Sequence, residues 1–153
     1  MPFLIKISGL IFIVTATTLF GIELSLRLRR RAGAINWYIK AVSEIGEKIR
    51  YTSAELGVII GSIYGQEKYL RVDEPFSVSL REVGLDDADK QILTEFFSGL
   101  GSGDTEEEIK RCSLYKRTLE KQLSSAEKAA DEKSRLYKML GFFGGIAIAI
   151  ILI

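Results

Sequence analysis

The sequence predicts an all-α protein, an antiparallel bundle of four to six helices flanked by N- and C-terminal transmembrane segments. Three observations predict it. Every charged residue except Lys6 and Glu23 lies between Arg27 and Lys138, so both ends are almost bare of charge. Inside that stretch about 35% of residues are charged, above the usual quarter. Apolar residues there recur every three or four positions, and no alternating pattern runs longer than a few residues. A length of 153 residues with mean hydropathy +0.15 leaves room for one ordinary domain besides the two ends.

The N-terminal segment is expected at residues 3–26. Ile7 to Ile22 carries no charge, and sixteen helical residues rise about 24 Å. Phe3, Leu4 and Ile5 before it and Leu24, Leu26 and Leu28 after it extend the run toward the ~30 Å hydrocarbon core. Lys6 can snorkel to headgroups, and Glu23 must sit at an interface or face a partner. A cleaved signal peptide is the competing reading. Against it, no small-residue cleavage site follows cleanly, and Arg27, Arg29, Arg30 and Arg31 arrive instead as a stop-transfer pattern. A lipid-modified cysteine is excluded because no cysteine lies near this run.

The middle, 32–138, reads as the helical bundle. Ala32-Gly33-Ala34 separates the arginines from a helix over about 34–50, whose apolar face is Ile35, Tyr38, Ile39, Val42, Ile45 and Ile49. Thr52 and Glu55 predict a capping box for a second helix over about 53–64. That helix carries Gly57 and Gly61, with Gly65 just beyond; each interior glycine costs about 1 kcal/mol against alanine, which close packing against a neighbour would offset. Residues 65–76 are the least regular, Asp73-Glu74-Pro75 breaks any helix, and a short helix is expected from Ser77 to Val83. Leu85-Asp86-Asp87-Ala88 starts the next helix, with Ile92, Leu93, Phe96, Phe97 and Leu100 on its buried face. Asp104, with Glu107 at the box position, then caps a long helix. Its seam steps through Ile109, Cys112, Leu119, Leu123, Ala126, Ala130, Tyr137 and Leu140, interrupted by Lys116 and Lys133.

The C-terminal segment, 139–153, is uncharged and rises about 22 Å, short for a span. It reads as a thin or tilted span or as a tail packed on the first segment; a buried soluble helix with no polar face would need a large core around it. Lys133, Arg135 and Lys138 precede it. Both basic clusters flank the middle region, so the positive-inside rule predicts a cytoplasmic bundle and both termini outside. Thr17 with Gly21, and Gly141 with Gly145, are small-residue pairs at spacing four that let helix backbones approach in lipid.

The chain is poor in chemistry. A net charge of +1 disfavours a nucleic-acid binder, and the absence of histidine removes the commonest general base and metal ligand. One cysteine excludes an internal disulfide or a cysteine-based zinc cluster. Gly101-Ser102-Gly103 lacks the lysine and the preceding strand of a phosphate loop and reads as a helix end. Glu106-Glu107-Glu108 reads as a solvated helix start before a cation site, and Cys112 as core. Asp86 and Asp87 are adjacent and diverge on a helix. No catalytic residue, cofactor or metal is expected, and no enzyme. The corner Leu100, Gly101, Gly103 and Asp104 is the candidate hinge or docking point, with simple chain reversal as the plainer reading.

Leu100-Gly101-Ser102-Gly103-Asp104, a charged helix through Leu119 and Leu123, and Leu136-Tyr137-Lys138-Met139-Leu140-Gly141 before an apolar end resemble the stage III sporulation protein AB family, which shows L-G-x-x-D, a long helix and a closing x-L-G. The apolar start ending in arginines fits too, as does Tyr51-Thr52, where the family has tyrosine and then a threonine-proline pair; here Ser53 replaces the proline. Residues 65–85 are shorter and match poorly, and Glu108 falls near a frequent glutamine. The resemblance implies a part in the trans-envelope channel between mother cell and forespore, in the mother-cell membrane facing the forespore. The family is similar to the cytoplasmic domain of the type II secretion F platform protein. By that analogy the partners are the secretion-type ATPase of the same operon and the other channel proteins, with self-association open. A membrane-anchored scaffold or regulator unrelated to sporulation is the alternative. A small transporter subunit is weaker, because Lys6 and Glu23 both sit at segment edges.

Overall fold

A computed structural model describes residues 2–52, 55–63, 65–73, 77–81 and 84–152. Among them lie five helices and one hairpin: α1 (Pro2–Tyr51), α2 (Leu56–Gly61), α3 (Gln66–Tyr69), β1 (Leu70–Asp73), β2 (Ser77–Leu80), α4 (Asp87–Gly99) and α5 (Thr105–Leu152). The fold is essentially all-α. The chain divides into two compact units, one of Met1–Arg29 with Ala126–Ile153 and the other of Arg30–Ser125.

The helical unit, Arg30–Ser125, is built on the stripe read from the sequence. Ile35, Tyr38, Val42 and Ile45 of α1 are fully buried, against Leu93 and Phe96 of α4 and Leu119 of α5 among the core side chains. Each such side chain contributes roughly 1.5–3 kcal/mol by leaving water. Trp37 stacks on Tyr69 with ring centroids 4.5 Å apart, and the Tyr38 hydroxyl donates to the Tyr69 carbonyl oxygen at 2.8 Å. Burial pushes the Tyr38 phenol well above its ordinary range, so it stays a neutral donor. Lys116, which breaks the apolar seam of α5, reaches back to donate to Ser43 Oγ at 3.2 Å.

Four local expectations are corrected. Ala32-Gly33-Ala34 is no boundary: α1 runs through it, Ala34 is buried in the core, and a lone glycine between alanines removes no backbone hydrogen bond. Thr52 does not open a capping box with Glu55. Its N–H instead closes α1 on the Lys48 carbonyl at 2.8 Å, Glu55 sits at the N-cap of α2 without a side-chain cap bond, and residues 53 and 54 lie outside the described residues. Gly61 does not mark close helix packing, since a Cβ there meets nothing within 4 Å, while Gly65 turns the chain at φ +72°. The helix expected at 77–83 is a strand. Ser-Val-Ser-Leu pairs antiparallel with Leu-Arg-Val-Asp in the register Leu70↔Leu80, Arg71↔Ser79, Val72↔Val78 and Asp73↔Ser77, which places apolar residues opposite one another on one face. The break at Pro75 and the end of the expected helix at Val83 lie outside the described residues.

α4 begins as its sequence demands. Asp86 accepts from the Asp89 N–H at 2.9 Å, and Asp89 Oδ2 accepts from the Asp86 N–H at 3.3 Å, a reciprocal capping box.

Candidate docking corner and membrane hairpin

The turn between α4 and α5 is held by side chains from both sides. Leu100 is buried, and Gly101 takes φ +89°, where a Cβ would stand 2.8 Å from Leu56 Cδ1. A side chain there would cost about 1–2 kcal/mol in backbone strain before any clash. Ser102 Oγ donates to the Gly99 carbonyl at 2.7 Å and accepts from Arg111 Nη2 at 3.1 Å. Asp104 Oδ1 caps α5 by accepting the Glu107 N–H at 2.8 Å. The return bond comes from Glu108, whose Oε1 accepts the Gly103 N–H at 3.0 Å. Glu108 Oε2 has no hydrogen-bond donor; Arg111 Nε stands 3.7 Å from it.

This clamped corner floors an open cleft of about 570 Å³ bounded by Arg50, Tyr51, Thr52, Leu56, Gly101 and Glu108 among others. Tyr51 is 81% exposed at its edge. A held floor and an exposed aromatic side chain are features of a protein-recognition surface. Behind it, Cys112 is buried and its thiol is pushed up to about 11 by desolvation first and by the Glu108 charge second. It is therefore a packing residue without thiolate character at neutral pH.

The basic residues flanking the apolar ends divide into two sets. Arg27, Arg29, Arg30, Lys133, Arg135 and Lys138 are exposed. Arg27 reaches Glu23 at 3.6 Å, one helical turn away. Arg31 is committed inward: its Nε lies 2.7 Å from Asp89 Oδ2 and its Nη2 2.7 Å from Asp86 Oδ2. The Asp89 side chain has no exposure and that of Arg31 retains 20%. The Asp89 hydrogen bond, outweighing desolvation, raises the Arg31 pKa above its ordinary value, so the guanidinium stays charged at every physiological pH. Sequence periodicity missed this pair, because an aspartate at the third position of a helix reads as a solvated dipole partner. The signal that could have found it is the box spacing itself, which turns Asp89 back toward the cap.

In the other unit, the apolar stretches of α1 and α5 pack backbone to backbone. A Cβ on Gly21 would stand 2.5 Å from the Tyr137 carbonyl oxygen and 3.3 Å from Gly141 Cα. One on Gly141 would stand 2.7 Å from the Thr17 carbonyl oxygen, and one on Gly145 would strike Thr17 Oγ1. The small residues at spacing four on the two helices thus meet each other. Ser25 and Ser134, both buried, share a hydrogen bond between the same helices that the sequence reading did not anticipate. Thr17 also donates to its own helix, to the Ile13 carbonyl at 3.0 Å, as a hydroxyl in apolar surroundings must. Both helices are long and apolar enough to cross a membrane, and only 11% and 17% of their most apolar windows are buried. A helix at the centre of a soluble core would be mostly covered, so these uncovered faces are consistent with a membrane protein.

Two helices long and apolar enough to cross a membrane and a helical unit bearing an open cleft give the class: a small, essentially all-α protein, consistent with a membrane protein. The chain belongs to the stage III sporulation protein AB family, whose sequence profile matches residues 6–77 and 72–153. Membership implies a role in sporulation. No curated protein and no solved structure matches the chain.

Proposed function

We propose that the protein is a non-enzymatic membrane platform of the channel between mother cell and forespore. It sits in the mother-cell membrane with its helical unit in the cytoplasm and both termini outside. There it docks the cytoplasmic secretion-type ATPase and other channel proteins. The exposed basic residues beside both apolar segments support this orientation. The observation that carries the docking role is the corner cleft, where Glu108 and Arg111 hold the turn fixed while Tyr51 stands out at 81% exposure. A corner clamped in this way favours a docking point over a hinge.

Copurification with the ATPase from sporulating cells tests the reading. The Tyr51→Glu protein is expected to lose at least about tenfold of the recovered ATPase, the effect of losing one aromatic contact of about 1.4 kcal/mol. Its thermal transition should be unchanged, because Tyr51 makes up no part of the core. Undiminished recovery removes the cleft from the interface, and ATP hydrolysis by the purified protein alone contradicts the platform role.

A further inference from the structure

The close contact between the apolar stretches of α1 and α5 leaves an open trough along one side of it. Within the unit of Met1–Arg29 with Ala126–Ile153, this trough measures about 440 Å³ and is walled by Phe20 and Leu24 of α1 and by Tyr137, Leu140, Gly144 and Ile148 of α5 among others. Phe20, Leu140 and Ile148 are exposed at its rims. Gly144 opens it: a Cβ there meets nothing within 4 Å, whereas one on Gly141 strikes the backbone of α1. The same stripes continue past the apolar stretches. Arg27 follows Leu24 by three residues and Lys133 precedes Tyr137 by four, so each cation prolongs one wall of the trough. The two come level with one another, because Ser25 bonds to Ser134 between the helices, two residues from Arg27 and one from Lys133.

We propose that the trough seats one acyl chain of an anionic phospholipid whose headgroup phosphate is held by Arg27 and Lys133. An acyl chain fits where a side chain is missing. The trough is open at Gly144, its rims are apolar, and the Thr17 hydroxyl that lines it is spent on its own helix. A chain lying there supplies the van der Waals contacts that an empty slot forfeits. Tyr137 ends the trough at the basic residues, where an amphipathic ring keeps its hydroxyl among headgroups. The charge selects the lipid. From Leu24 to Arg29 and from Lys133 to Lys138 the sequence carries five cations and no acid. Glu23 and Glu132 border this collar, and Glu23 stands 3.6 Å from Arg27 Nε. A guanidinium has five donors, so Arg27 engages that carboxylate and a phosphate together. A basic collar beside apolar segments favours an anionic headgroup over a zwitterionic one. The inference rests on the apolar ends lying in a bilayer. Release of the chain into detergent-free buffer sinks that reading, whereas a chain that stays with the bilayer yet holds no lipid sinks this inference alone.

The test takes the full chain from vesicles of equal phosphatidylglycerol and phosphatidylcholine into mild detergent and weighs it by native mass spectrometry. One retained phosphatidylglycerol per chain is expected, in at least about tenfold excess over phosphatidylcholine. Gly144→Leu, which fills the trough without touching α1, should lose the adduct. Its two apolar helices should still crosslink through cysteines at 25 and 134 in a Cys112→Ser background. Arg27→Gln with Lys133→Gln, both exposed changes, should keep a lipid but no longer distinguish the two headgroups. Glycerol phosphate at about 1 mM should displace nothing, because the chain in the trough holds the headgroup in place. Equal retention of the two lipids by the parent, an adduct that survives Gly144→Leu, or displacement by glycerol phosphate overturns the proposal. So does a second copy of the chain, retained in place of lipid and lost with Gly144→Leu.

Discussion

Replacing Asp89 with alanine is expected to lower the stability of the helical unit by about 3 kcal/mol, the lower end for a broken buried ion pair. The change strips Arg31 of one of its two carboxylate partners, the fully buried one 2.7 Å from its Nε, and leaves a side chain only 20% exposed. It also removes half of the capping box that starts α4. The lower end applies because Asp86 remains 2.7 Å from Arg31 Nη2 and the arginine keeps some contact with water. Trp37, the sole tryptophan, stacks on Tyr69 inside this unit, so its fluorescence reports the unit's unfolding without interference from the apolar ends. The transition midpoint should fall by on the order of 10–20 °C. The paired replacement Arg31→Met with Asp89→Leu should recover most of the loss, because two apolar side chains leave no buried charge behind. A midpoint for Asp89→Ala within about 2 °C of the parent would mean that the pair contributes nothing.

Gly141→Val is expected to separate the apolar stretches of α1 and α5. In lipid no hydrophobic force holds two helices together, so close backbone contact and interhelical hydrogen bonds carry the association. A valine at 141 would place its Cβ 2.7 Å from the Thr17 carbonyl oxygen and 3.2 Å from Gly21 Cα, backbone atoms that cannot rotate aside. Cysteines in place of Ser25 and Ser134, which touch in the parent, report the pairing by disulfide formation once Cys112 is changed to serine. The Gly141→Val protein should crosslink at least about tenfold less in bilayers, equivalent to about 1.4 kcal/mol of lost association. Parental crosslinking would show that the glycine contact holds nothing.

The two capped helices were legible because their signals are local. Asp104 caps α5 as read, though its return bond comes from Glu108 and not Glu107, and the acidic helix start read at Leu85-Asp86-Asp87-Ala88 is where α4 begins, with Asp86 as its cap. The buried stripe of α1 from Ile35 to Ile45 was legible for the same reason, since period alone fixes which side chains share a face. The misread places are those where two local signals compete. Thr52 with Glu55 has the spacing of a box, but its N–H was already claimed by the end of α1. Ser77 to Leu80 is too short for alternation to outweigh a helical reading, and only its pairing with Leu70 to Asp73 decides it. Arg31 is instructive for the functional residues. Within a run of arginines it looked like its neighbours, yet a carboxylate far along the chain takes it out of the basic set. No periodicity carries that information, because the partner is set by tertiary packing.

The proposed platform has its apolar ends in a membrane and its helical unit on the cytoplasmic side. Single cysteines in a Cys112→Ser background, one at Ile151 and one at Glu106, read this directly with a membrane-impermeant maleimide on intact cells. Both positions are exposed, at 83% for each side of the comparison. In the proposed orientation the cysteine at 151 is labelled from outside and the cysteine at 106 only after the cells are permeabilised. Labelling at 106 in intact cells, or release of the whole chain into detergent-free buffer, would contradict it.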